Sequence, residues 1–321
     1  MILTATREER TEQALFRGAR LALDNPAYLQ AVRAFTGAML DADLAPRDLT
    51  SAVLAIESAL ASAAIISREP GIAAGLEELG FLLESHGVRA TLEKRDGAAF
   101  EPGDVLLRAE GDRTTLLSLE RVGLNLVQRM SGIATAAAHL DSLARARCPS
   151  VRVVATRKTP WGLLDKRAAH WGRCGTHRLS LGDAIVIKNN HLALFAGREE
   201  DAAPLAIARA WDSRADAAFI EIEVRSDAAA LAAARAFRGL QERASEPYPF
   251  LLMLDNKTPG EITGILDSLR RDGLHDAALI EASGGIAEAN IRAYADCGVD
   301  AISVGALTHS VRALDLCQRI L

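Results

Sequence analysis

Six short apolar runs in the second half of the chain each end in residues able to do chemistry. Val151–Ala155 leads into Thr156-Arg157-Lys158, and Ala184–Ile187 into Lys188-Asn189-Asn190-His191. Ala218–Val224 carries Glu221 and Glu223, and Phe250–Leu254 runs into Asp255-Asn256-Lys257. Ala277–Ile280 leads to Glu281 and Ser283-Gly284-Gly285, and Ala301–Val304 to Gly305, with His309 nearby. The cations suit an anionic substrate. Thr156–His191 holds seven Lys/Arg against two acids, Asp165 and Asp183, in a chain of net charge −5. Such an opposite-signed cluster marks a place where anions are received. Glu221 and Glu223 stand two apart on one run and point the same way. Glu223 with Asp255 could hold Mg²⁺, a hard ion that takes a few carboxylates and keeps sites for phosphate. Glu221, and less readily Glu223, could instead be a structural partner of Lys188 or Arg157. Lys188 has three open roles: Schiff-base lysine, anion clamp, or buried ion-pair partner. His177-Arg178, after a Gly-rich turn, suits a clamp on a planar carboxylate. His170 and His191 read as structural or surface histidines, and Cys174 as an ordinary buried thiol.

The elements that must position these residues follow a βα rhythm. The starts of the six runs lie about 24 to 34 residues apart with Ala/Leu-rich helical stretches between them, which is the pattern of a parallel barrel or doubly wound sheet. In such folds the residues at the carboxyl ends of the strands build the site. Ser283-Gly284-Gly285 precedes a helix expected from near Ala287, and Gly305-Ala306 follows the next strand, so backbone N–H groups there could receive a phosphate.

The first half reads differently. Residues 1 to about 24 are polar and weakly periodic, an extension or a frayed helix. Asn25-Pro26 caps a helix whose apolar positions are Leu29, Val32, Phe35 and Met39-Leu40. Asp48-Leu49-Thr50 reads as a loop, Ala59–Arg68 as a strand and Ala73–His86 as a helix. Val88–Lys94 and Asp104–Ala109 read as strands on either side of a turn, giving an α+β module. Thr114–Ala146 is helical with an interruption at Ser131-Gly132, and it exposes Glu120, Arg121 and Gln128. On composition alone Arg121 is a surface charge.

The totals exclude several classes. At 321 residues, with 49% apolar and 4% aromatic residues, the chain can build a large aliphatic core. Its net acidity and lack of a basic tail argue against nucleic acid. Cys148, Cys174, Cys297 and Cys317 show no metal-ligand spacing, which fits a reducing cytoplasm. No apolar run reaches the roughly 18 residues a membrane span needs, and the N-terminus has no signal-peptide core.

Longer motifs resemble the quinolinate phosphoribosyltransferase family, also called carboxylating nicotinate-nucleotide diphosphorylases. They are Glu120-Arg121 with Leu124-Asn125, Gln128–Thr135, Thr156-Arg157-Lys158-Thr159, His177-Arg178, Ile187-Lys188 and Asn190-His191. They continue with Glu221–Val224, Leu254-Asp255-Asn256, Glu281–Gly285 and Ser303–Ser310. The resemblance runs from about residue 45 to the C-terminus. It implies an N-terminal α+β module (1–124, residues 1–40 being an extension), an incomplete, seven-stranded α/β barrel (125–309), and a C-terminal segment (310–321) returning to the module. It further implies a cytoplasmic homodimer, or a higher oligomer, in which Arg121 reaches the partner's pocket.

The implied reaction joins quinolinate to phosphoribosyl pyrophosphate, with Mg²⁺, releasing pyrophosphate and CO₂ and forming nicotinate mononucleotide for NAD biosynthesis. By the resemblance, Arg157, His177, Arg178 and Lys188 hold the substrate carboxylates, and Lys158 meets the pyrophosphate donor. Glu223 and Asp255 face its ribose and metal, while Ser283, Gly284, Gly285, Gly305 and His309 line the 5′-phosphate site. Lys158, Lys188, Glu223 and Asp255 are the catalytic candidates. The chain departs from the family pattern at Gly172-Arg173-Cys174-Gly175-Thr176, Asn189, Pro160-Trp161-Gly162 and Arg47, all near or beside the presumed base pocket, while the phosphate side keeps the pattern. Three other readings stay open at this point: a same-fold transferase for another aromatic acid, as in the branch associated with molybdenum transport, a Schiff-base aldolase using Lys188, and a non-catalytic phosphoribosyl-anion sensor.

Overall fold

In the computed structural model, which describes residues 5–45, 47–54 and 57–321, the alternating runs of the first half become antiparallel strands. The first four residues of the expected extension lie outside the described residues. The strands are β1 (Leu60–Ser67), β2 (Gly71–Ile72), β3 (Arg89–Leu92), β4 (Ala99–Phe100) and β5 (Val105–Asp112). β5 shows the reason in its burial: Leu106, Leu107, Ala109 and Gly111 are buried while Arg108 and Glu110 are exposed, the period of a half-covered sheet.

The continuous apolar runs of the second half become β6 (Arg152–Ala155), β7 (Ile185–Ile187), β8 (Ile220–Val224), β9 (Phe250–Asp255), β10 (Leu279–Ser283) and β11 (Ala301–Val304). All pair in parallel in the order β6-β11-β10-β9-β8-β7. Val154 of one edge strand and Ala184 and Val186 at the other share a core cluster with Leu251, Leu279 and Ala301, so the sheet is rolled. β12 (Leu316–Ile320) returns to the antiparallel sheet and pairs with β1, giving the order β12-β1-β5-β3. Two compact units result: Met1–Arg17, Leu140–Arg157 and Cys174–Ala306 around the parallel sheet, and Gly18–His139, Lys158–Arg173 and Leu307–Leu321 around the antiparallel one.

Four expectations need correction. Among the described residues six strands form the parallel sheet, not seven; a parallel bridge, Val154 to Gly175, lies beside β6. Left-handed backbone at Arg173 (φ 69°) and His177 (φ 53°) ends any extended run on both sides of Gly175. The helix Arg113–Arg145 runs unbroken through Ser131-Gly132. Gly132 is there because a Cβ would lie 2.2 Å from the Arg312 carbonyl oxygen, and Ser131 Oγ bonds the backbone of Ala74. Asp48 opens a short helix, Leu49–Val53, by accepting the Ser51 N–H at 3.1 Å. The polar N-terminal stretch contains a well-capped helix, Arg7–Leu15, in which Thr6 and Glu9 satisfy each other's backbone N–H groups. Among the described residues no helix is long and apolar enough to cross a membrane.

Candidate active site at the strand ends

The parallel sheet delivers its chemistry at one end. Arg157 follows β6, Lys188 follows β7, and Glu223 lies near the end of β8. Asp255 closes β9, Ser283 closes β10 and Gly305 follows β11. The arrangement is the one expected of the strand-end residues, and all of these belong to one compact unit together with His177 and Arg178.

His177 is the most heavily engaged of them. Its Nε2 lies 3.1 Å from Oε2 of Glu221 and 3.3 Å from Oε2 of Glu281. Both carboxylates are fully buried and make no well-aligned hydrogen bond. Burial by itself would lower the imidazole, but the two carboxylates outweigh it and push the ring up to about 9. The Arg178 N–H, however, donates to Nδ1 at 2.8 Å, and a doubly protonated ring could not accept it. That hydrogen bond selects the neutral ring with its proton on Nε2, aimed at the carboxylates. The remaining proton then belongs to the acid pair: burial, and after it Glu281, pushes Glu221 up to about 7. Glu221 is therefore partnered by His177 and Glu281, not by Lys188 or Arg157 as its sequence position suggested.

Lys188 is half exposed, with Nζ 3.5 Å from Oε2 of Glu223. A Schiff-base lysine is activated by desolvation or by a neighbouring cation; Lys188 has water and a carboxylate. Asn189 donates its side-chain amide to Oε1 of Glu223, a contact that sequence reading did not find. Position 189 thus sets an amide dipole beside the Glu223 carboxylate. Asp255 accepts the Asn256 amide at 2.7 Å and lies 3.9 Å from the Arg225 guanidinium. Arg178 is buried, donates to the Ala184 carbonyl at 3.2 Å, and is lowered by burial and then by Arg157.

The glycine pair adopts a conformation that needs glycine. Gly284 and Gly285 have φ of 97° and 62°, and a Cβ on Gly284 would fall 2.4 Å from Oδ1 of Asn256. The Asn256 N–H is bound to the Ser283 carbonyl at 2.8 Å, which locks the two strand-end loops together. The following helix starts at Ile291, not near Ala287, because the Asn290 side chain takes the Ala287 N–H at 2.8 Å and holds a turn. An anion at this point would meet the N–H groups of a left-handed turn rather than a helix end.

Of the remaining predicted residues, Arg121, Lys158 and His309 belong to the antiparallel-sheet unit. Arg121 is exposed on the long helix. The Lys158 carbonyl accepts the Thr308 hydroxyl at 2.8 Å, which fixes the backbone beside His309. His191 is exposed; Cys174 is fully buried and its thiol is raised well above the ordinary value, chiefly by burial.

Two groups could take a cation. Among the described residues the one cluster of three metal-ligating side chains is His177, Glu221 and Glu281, with ligand atoms within 4.8 Å of one another. The proton on Nε2 opposes a metal there. Glu223 and Asp255 fit Mg²⁺ better: they are hard carboxylates at the ends of adjacent strands, β8 and β9. Two carboxylates with phosphate oxygens and water are the usual magnesium donor set.

Family models describe both parts of the chain. "Quinolinate phosphoribosyl transferase, C-terminal domain" matches residues 133–318, and the corresponding N-terminal domain matches residues 48–131. A protein of Methanothermobacter thermautotrophicus, named a probable carboxylating nicotinate-nucleotide pyrophosphorylase, is 37% identical over 284 residues, covering 88% of this chain and 96% of that one. The carboxylating nicotinate-nucleotide pyrophosphorylase of Mycobacterium leprae is 35% identical over 276 residues, covering 84% and 89%. The solved structure of the nicotinate-nucleotide pyrophosphorylase from Francisella tularensis superposes with a TM-score of 0.75 at 28% identity, covering 91% of this chain and 96% of that one.

Proposed function

The chain belongs to the quinolinate phosphoribosyltransferase family, and we propose that it transfers phosphoribose from phosphoribosyl pyrophosphate to quinolinate with loss of CO₂. The products are nicotinate mononucleotide, pyrophosphate and CO₂, in the cytoplasmic route to NAD. The observation that carries this reading is the single-ended array on the parallel sheet, in which cations, paired acids and a left-handed Gly-Gly turn close successive strands.

Both substrates are polyanions, so the site must supply preorganised positive charge. Arg157, His177, Arg178 and Lys188 are assigned to the carboxylates of the acceptor, Arg178 and Lys188 as cations and His177, whose ring nitrogens face the two buried acids and the Arg178 N–H, as the wall that holds Arg178 in place. Lys158 is assigned to the pyrophosphate. Ser283, Gly284, Gly285 and Gly305 are assigned to the 5′-phosphate, with His309 in the same role. Arg121 is assigned to the pocket of a second copy in a homodimer. Bound magnesium would neutralise charge on the departing pyrophosphate, and Glu223 and Asp255 are the residues that would hold it.

As the bond from the anomeric carbon to pyrophosphate breaks, positive charge grows on the ribose, and Glu223 is the carboxylate assigned to stabilise it. The quinolinate ring nitrogen then bonds to that carbon. The pyridinium so formed draws electrons from the bond to the adjacent carboxylate, CO₂ leaves, and a proton takes its place on the ring. Positioning and electrostatics supply most of the rate, as in phosphoryl transfer. Incubation with quinolinate, phosphoribosyl pyrophosphate and Mg²⁺ is expected to release CO₂ and nicotinate mononucleotide. Ribosylation of a different pyridine acid from a small panel would correct the acceptor alone. No ribosylation of any member of the panel would overturn the reading.

A further inference from the structure

The helix Arg7–Leu15 precedes both family-domain matches, which start at residue 48, yet it is built into the parallel-sheet unit. Arg7 binds Asp300 at 2.8 Å through Nε, and it donates to the carbonyls of His275 (2.9 Å) and Ala278 (2.8 Å). These partners precede β10 and β11, so the helix lies at the amino-terminal end of the sheet. Arg152, at the start of β6, pairs with Glu8 and with Glu12 (2.8 Å). Ala14 and Leu15, 1% and 0% exposed, enter the core cluster with Val154, Ala184, Phe219, Leu251, Leu279 and Ala301. The helix end therefore fills the lower interior of the rolled sheet.

Leu15 and the two residues after it reach the strand-end chemistry. The Gly175 segment pairs with β6 through Gly175 N–H to the Val153 carbonyl (2.9 Å) and Ala155 N–H to the Gly175 carbonyl (2.8 Å). Two residues later, the chain is held by the N-terminal segment instead of a strand: His177 N–H donates to the Leu15 carbonyl at 2.9 Å. The Thr176 hydroxyl oxygen accepts the Arg17 N–H at 3.0 Å. Arg17 Nε lies 2.8 Å from Oδ2 of Asp183, and the same oxygen accepts the Leu179 N–H at 2.8 Å. His177 and Arg178 are thus gripped from behind through Leu15, Thr176 and Asp183. His177 needs the grip, since φ of 53° is disfavoured for a residue with a Cβ and persists only where its surroundings over-determine it.

We propose that Leu15–Arg17 positions the His177-Arg178 pair for the carboxylate-bearing acceptor, with the Arg17–Asp183 ion pair as its latch. The proposal rests on the assignment of His177 and Arg178 to the acceptor. Arg17, Thr176 and Asp183 touch no reacting atom; they are positioning residues.

The test varies quinolinate and phosphoribosyl pyrophosphate separately in Arg17→Ala, Asp183→Asn and the double variant, with melting curves for each. The expected result is a KM for quinolinate about tenfold higher in Arg17→Ala, with KM for the donor within about twofold. The double variant should be no worse than the single ones, since both break one latch, and Arg17→Lys should recover part of the loss. A proportional change in both KM values that tracks lost melting temperature, or no change in either, overturns positioning. If the wild type ribosylates only another pyridine acid, the same comparison is made with that acceptor. If it ribosylates none, the proposed function has failed, and calorimetric binding of quinolinate to wild type and Arg17→Ala decides this proposal: equal affinities overturn it, and about tenfold weaker binding by the variant supports it.

Discussion

Asp165→Asn tests how far the antiparallel-sheet unit depends on a single ion pair. The Asp165 side chain is 0% exposed and Arg129, its partner, is 18% exposed. Arg129 donates Nε to Oδ1 at 2.8 Å and Nη2 to Oδ2 at 2.9 Å, the paired geometry that a carboxylate matches best. Oδ2 also accepts the Trp161 N–H at 3.1 Å, and the guanidinium lies 5.0 Å from the centre of the Trp161 ring. Asparagine would turn one of these acceptors into a donor, facing either Arg129 or the Trp161 N–H, and would leave a cation without its counter-charge. Removing one partner of a buried pair costs about 3–5 kcal/mol. Arg129 keeps some access to water and donates to the Thr308 carbonyl at 2.8 Å, which sets the loss near the lower bound, about 3 kcal/mol. At about 2–4 °C per kcal/mol, the melting temperature should fall by about 6–12 °C in scanning calorimetry. Removing the stranded cation as well, in Asp165→Asn/Arg129→Met, should recover at least about half of that. The reasoning fails if Asp165→Asn melts within about 2 °C of wild type, or if the two changes simply add. Because Thr308 also bonds the Lys158 carbonyl, KM for the phosphoribosyl donor should rise more than KM for quinolinate, the opposite split to that of Arg17→Ala.

Gly284→Ala would place a Cβ 2.4 Å from Oδ1 and 2.8 Å from N of Asn256, with φ at 97°, so phosphoribosyl pyrophosphate binding measured by calorimetry should weaken about a hundredfold. Gly285→Ala, with open space around its Cβ, should lose about tenfold or less, and equal losses would refute the steric account. Asp96 accepts the Leu76 and Glu77 N–H groups at the start of the helix Leu76–Glu84, yet burial, and then Glu78, pushes it up to about 7. A raised acid holds its proton more tightly folded than unfolded, so its contribution is complete below about pH 4 and is lost as pH rises through about 7. Denaturant titrations should show wild type losing up to about 4 kcal/mol relative to Asp96→Asn across that window, and parallel pH curves would refute it.

The parallel sheet was legible because its strands are buried on both faces and so appear as unbroken apolar runs; Phe250–Leu254 in the sequence became Phe250–Asp255 in the fold. The helix Arg7–Leu15 was much harder to see. Only Thr11, Ala14 and Leu15 of it are buried, and the partners of its charges, Arg152 and Asp300, lie more than a hundred residues away. Its local signal was the Thr6–Glu9 capping box, four residues before any apolar pattern. Ser131-Gly132 misled in the opposite direction: glycine reads locally as a breaker, while its cause is the Arg312 carbonyl packed against the helix. The strand-end residues were identifiable by type and place, but the joining of His177 to Glu221 and Glu281 was not. It depends on three segments whose register no short window contains.

The charge excess of Thr156–His191 shows the same limit from the other side. Its two acids are both matched from outside the window, Asp165 by Arg129 and Asp183 by Arg17. At least two of its cations are matched in the same way: Lys188 faces Glu223, and Arg167 is buried, bonds Glu77 and Glu78, and lies over the rings of Trp171 and Tyr28. Lys166 is buried beside it, and Arg173 is exposed on a left-handed turn. The four cations assigned to substrate under the proposed function, Arg157, Lys158, Arg178 and Lys188, are not distinguished from the other three by residue type or local charge density. Three of the four sit at a strand end or on the loop leading to one, and Lys158 follows the first of these directly. A local excess of charge thus marks where a candidate anion site should be sought, while membership in it is decided by topology, because only topology brings in the distant acids and cations that pair with the other charges.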